Sequence, residues 1–132
     1  LSSSSAASDV YKRQGRYVYM RGPAGERNGP LYEYTLMPTH MDCMFGVDEL
    51  QTIALQEPFP FTKGCRTMKI PSRGFQKQHD LTTYLYDVVA DPAQERPLDD
   101  RAVEQRMIEH LVRLMHATDA PPEQYTRLGL PQ

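Results

Sequence analysis

No apolar run in this 132-residue chain approaches the roughly 20 residues that a membrane-spanning helix needs. Cysteine is scarce: Cys43 and Cys65 stand alone, without CxxC spacing, and they read as free, partly buried thiols. Positive charge is not in excess either. Lys and Arg number 15 against 17 Asp and Glu, for a net charge of −2, which argues against an electrostatic grip on nucleic acid. No segment repeats. What the chain does have is breakers. Eleven prolines and eight glycines imply much loop, in a length that suits one modest domain with a single core.

The N-terminal end has to be set apart first. Ser4 to Gln14 reads SSAASDVYKRQ, which resembles the in-frame translation of a transposon-derived sequencing adapter. Residues 1–14 are therefore expected to be a disordered, non-native tail that packs against nothing, and they are excluded from fold reasoning. On that reading the natural protein begins upstream, and any signal peptide would lie there.

From residue 15 the chain alternates strand signals with breakers. Arg16 to Arg21 (RYVYMR) and Leu31 to Met37 (LYEYTLM) are rich in β-branched and aromatic residues and predict two strands. The polar Gly22–Pro30 stretch between them predicts a long-looped hairpin, with Tyr17 and Tyr19 opposite Tyr32 and Tyr34. Val47 to Leu55 predicts two helical turns with Val47, Leu50, Ile53 and Ala54 on one side. Glu57-Pro58-Phe59-Pro60-Phe61 reads as an irregular surface arm. Arg66 to Ile70 predicts a third strand and Leu81 to Val88 a fourth.

Asp91-Pro92 closes the last strand, and Asp99 and Asp100 offer a helix N-cap. The helix runs from about Asp100 to Ala117. Val103, Met107, Leu111, Leu114 and Met115 form its apolar stripe; Arg101, Glu104, Gln105, Glu109 and Arg113 are left to water or the flank. A short last helix follows over Ala120–Gly129, with Pro at its start and Gly at its end. The sum is an α+β fold: a four-stranded antiparallel sheet with a covering C-terminal helix.

Tyr84 to Leu98 (YLYDVVADPAQERPL) resembles the "LYDLxxDPxExxNL" segment near the C-terminal end of sulfatases, in the alkaline-phosphatase-like superfamily. Leu85-Tyr86-Asp87, Asp91-Pro92 and Leu98 match, while Gln94 stands where Glu is usual and Pro97 where Asn is usual. The resemblance implies that residues 15–132 are the C-terminal subdomain of a sulfatase-like hydrolase, with a four-stranded sheet beside a large catalytic domain that this sequence lacks. It implies a parent that cleaves sulfate esters with a formylglycine nucleophile and a divalent cation, calcium. Neither group is expected within this segment. The implied partners are the catalytic domain of the same parent and, through it, a sulfate-ester substrate; oligomers are possible. A phosphonate or phosphate-ester hydrolase of the same superfamily would share this tail. A non-catalytic α+β binding or oligomerisation module is the alternative of a different class.

The residues offer little chemistry of their own. Lys69-Ile70-Pro71-Ser72-Arg73 looks like the sulfatase C/S-x-P-S-R motif, but Lys69 occupies the nucleophile position and lysine cannot become formylglycine. Asp91, Asp99 and Asp100 are explained by turn and cap roles without a metal. His40 and Cys43 make half a zinc site at most, with Cys65 and His79 as the only completions. His110 and His116 are too far round one helix to share an ion. No catalytic residue and no metal ligand is therefore assigned. Lys63-Gly64-Cys65-Arg66 places two cations close in sequence, and basic side chains stabilise bound oxyanions. His40, Lys63 and Arg66 are the candidate substrate-binding residues.

Overall fold

The computed structural model describes residues 15–26, 28–40, 43–72 and 81–132. The adapter-like residues 1–14 lie outside the described residues, as do Arg73 and His79. The elements in order are β1 (Tyr17–Met20), β2 (Tyr32–Thr35), α1 (Val47–Leu50), β3 (Ala54–Gln56), β4 (Thr67–Pro71), β5 (Tyr84–Asp87), α2 (Arg101–Ala117) and α3 (Pro122–Leu128), with a 3-10 turn at Pro60–Thr62. The fold is α+β with antiparallel strand pairing. All four expected strands are present, as β1, β2, β4 and β5. Among the described residues they are divided between two sheets, β1–β5 and β2–β4–β3, rather than joined in one of four strands.

The expected hairpin between the first two strands is not formed. Tyr19 faces Leu85 and Tyr34 faces Lys69, so the tyrosines of β1 do not stand opposite those of β2. A long, breaker-rich loop does not fix a register as a two-residue turn would. The end of β1 is instead tied to the approach to β5. The Gly22 N–H donates to Thr83 Oγ1 at 3.0 Å. A Cβ on Gly22 would lie 1.9 Å from the Leu81 carbonyl oxygen, so only glycine lets the two backbones approach.

The described residues form two compact units, one of residues 15–22 and 81–111, the other of residues 23–26, 28–40, 43–72 and 112–132. In the first, Tyr19, Leu85 and Val103 are the buried core, with Tyr17, Leu98, Met107, Ile108 and Leu111 packed around them. Asp100 caps α2 as expected, its Oδ1 accepting the N–H groups of Ala102 and Val103 at 3.0 Å each. Glu104 is not left to water: it accepts the Tyr19 hydroxyl at 3.1 Å and faces Arg21 at 3.7 Å. Leu114, placed in the stripe by periodicity, is 41% exposed, while Met115 is buried. The period says which residues share a face; packing decides how far along the helix that face is covered.

In the second unit β4 is the central strand, and Ile70 on it is fully buried. The expected two-turn helix stops at Leu50, and Ala54–Gln56 pairs with β4 instead. Thr52 and Ile53 are β-branched, and the offer of a strand edge overrides a weak helical preference. Val47 is 71% exposed, so it does not belong to a buried helical face. The last helix is as expected: Pro122 stands at its start, Tyr125 and Leu128 are buried, and Gly129 closes it in the left-handed conformation (φ 62°).

Candidate functional site

The segment Leu85–Leu98 folds as a clasp in the first unit. Asp87 Oδ1 accepts the N–H groups of Val89 and Ala90 at 3.1 and 3.2 Å, and its Oδ2 accepts Arg16 Nε at 2.8 Å. The hydrogen bond from Arg16 holds the Asp87 carboxyl below the usual carboxylate range, against the opposing cost of its burial. The Ala90 and Val89 N–H groups and the Arg16 charge act in the same direction as that bond. Asp91 is buried and accepts the Arg96 N–H at 2.7 Å. Gln94 sits in the left-handed region (φ 55°), where its N–H reaches the Asp91 carbonyl at 3.1 Å. The chain then returns, and Leu98 N–H donates to the Leu85 carbonyl at 2.7 Å. Asp87, Asp91 and Leu98 thus each hold the turn.

Of the predicted substrate residues, His40 is the most enclosed, with 17% of its side chain exposed. Its Nδ1 lies 3.4 Å from Glu33 Oε2 and its Nε2 lies 3.0 Å from Glu49 Oε1, and the edge of Phe45 meets its ring at a centroid distance of 4.6 Å. Glu33 also accepts the Ser72 hydroxyl at 3.1 Å, and Glu49 accepts the Gly46 N–H at 2.6 Å. This is a polar clamp that ties the loop after β2 to α1. Lys63 is exposed and left-handed (φ 53°) at the end of the 3-10 turn. Arg66 is exposed and pairs with Glu57 at 2.9 Å.

The charged partners of His40 and Arg66 are carboxylates, Glu33 and Glu49 for the first and Glu57 for the second. The described residues do not place three or more His, Cys, Asp or Glu side chains where they could hold a metal ion. Neither Cys43 nor Cys65 takes part in a disulfide, and both are exposed rather than partly buried.

A second cluster escaped the sequence reading. Lys69 Nζ lies 4.2 Å from the Tyr32 ring centroid, 5.7 Å from that of Tyr34, and 3.7 Å from Glu123 Oε2. The Tyr34 hydroxyl donates to Glu123 Oε1. Burial pushes the Tyr34 phenol well above its ordinary value, and the hydrogen bond and charge of Glu123 push it further. Phe59 meets Tyr34 edge-on at 5.2 Å, and Phe61 stacks on Phe59 at 5.0 Å. The Tyr-x-Tyr alternation was visible, but its partner strand was misassigned, so Lys69 could not be placed between the rings. Ammonium, carboxylate and phenol satisfy one another here. The arrangement anchors α3 to the sheet of the second unit.

No protein-family model, no curated protein and no solved structure matches the chain.

Proposed function

We propose that residues 15–132 are the C-terminal subdomain of a sulfatase-type sulfuric ester hydrolase, docked beside a catalytic domain of the same parent. The observation that carries the reading is the Leu85–Leu98 clasp. Four of the residues by which this segment resembles the sulfatase tail, Leu85, Asp87, Asp91 and Leu98, close the turn through their side chains or backbone. The resemblance implies a single four-stranded sheet with a helix across it; the described residues supply five short strands in a two-stranded and a three-stranded sheet, and the helix.

Exposed apolar side chains of the second unit are consistent with docking: Leu36, Met37, Met44, Val47 and Leu55 are all about two-thirds exposed or more, and where such residues form one patch they mark an interface. The formylglycine nucleophile and the calcium ion belong to the catalytic domain in this reading. This chain would add Lys63 and Arg66, which follow the Pro/Phe arm, as cations near the sulfate ester. His40 would act indirectly, by holding the loop between Glu33 and Glu49.

The test is to recover the upstream reading frame from the same DNA and express the whole protein. The expected result is an upstream C/S-x-P-S-R segment and calcium-dependent hydrolysis of an aryl sulfate, weakened by Lys63→Ala and Arg66→Ala. Preference for an aryl phosphate or phosphonate would assign the tail to the other hydrolases of the superfamily. An upstream frame without a nucleophile segment would leave a non-catalytic binding module. The present chain alone is expected to turn over no aryl sulfate; turnover abolished by Lys69→Ala would overturn that.

A further inference from the structure

We draw no further inference here: the strongest candidate, the surface patch of the second unit in which the exposed Phe61 stacks on Phe59 beside the Tyr34–Glu123–Lys69 cluster, has polar groups that satisfy one another, and nothing in the structure shows what covers the exposed ring.

Discussion

Leu85→Ala should be among the most damaging single truncations in the first unit. Leu85 is 5% exposed and forms the core with Tyr19 and Val103, inside a ring of five partly buried apolar side chains. Truncating such a leucine removes its transfer free energy and leaves a cavity, for a cost of about 2–5 kcal/mol. Domains of this size are stable by only about 5–15 kcal/mol in total. With a urea slope near the middle of the usual range, about 2 kcal/mol/M, the midpoint should fall by roughly 1–2.5 M. Leu114→Ala is the control. It lies on α2, in the same apolar period as Val103 that packs on Leu85, but it is 41% exposed, so its effect should stay within about 0.5 kcal/mol. Far-ultraviolet circular dichroism in urea measures both, and tyrosine fluorescence gives an independent probe in a chain without tryptophan. Equal midpoints for the two variants, or a larger loss from Leu114→Ala, would refute the packing of α2 described above.

Asp100→Ala should cost about 0.5–2 kcal/mol by uncapping α2, whereas Asp100→Asn should recover most of it; urea midpoints of the pair decide. The Asp87 carboxyl is depressed in the folded state, so its contribution is present above the ordinary aspartate value of about 3.9 and is lost as pH falls through the folded value. Asp87→Asn should accordingly flatten the acid limb of a stability-against-pH curve. Tyr34 is shifted the other way: the contribution of its protonated hydroxyl is present below the ordinary phenol value of about 10 and is lost as pH rises through the folded one. Ultraviolet titration should show a late tyrosine step that Tyr34→Phe removes. Glu49→Ala, which strips both His40 and the Gly46 N–H of an acceptor, should destabilise by about 1–3 kcal/mol, and Glu49→Gln by less, in the same urea assay.

Local signals in the sequence were reliable wherever the chain decides its own geometry. The Asp100 cap, the Gly129 stop, the proline start of α3 and the Asp91-Pro92 turn all depend on residues within a few positions of each other, and all were readable. Pairing was not readable. Tyr17 and Tyr19 read as partners of Tyr32 and Tyr34 because these strands are neighbours in sequence. What decides the register is the contact of Gly22 with Leu81 and Thr83, far along the chain. Once β2 was given the wrong neighbour, the Lys69–Tyr32–Tyr34–Glu123 cluster was out of reach, since its members come from β2, β4 and α3. From the sequence, His40 reads as a substrate-binding residue with Lys63 and Arg66, and as half a zinc site at most beside Cys43. The carboxylates of Glu33 and Glu49 that flank its two ring nitrogens lie on β2 and α1, and only the folded loop brings them there.

The two units are interleaved along the chain, and this dictates the order in which a ribosome could complete them. Arg16 meets Asp87 across 71 positions of sequence. The first unit therefore cannot close until β5 and the opening turns of α2 have emerged. The second unit waits longer still, because Tyr34 needs Glu123, 89 positions on, and Asn28 needs Arg127, 99 positions on. During synthesis the β2–β4–β3 sheet would stand half-covered, its tyrosines and Lys69 exposed, until the last turn of the chain arrives. A stop codon just after Leu111 would leave the first unit every residue it uses and deprive the second of its closing helix. Residues 112–132 are thus the latch of the middle, and termination ahead of them would uncover the sheet face that carries Tyr32, Tyr34 and Lys69 rather than merely shorten the protein.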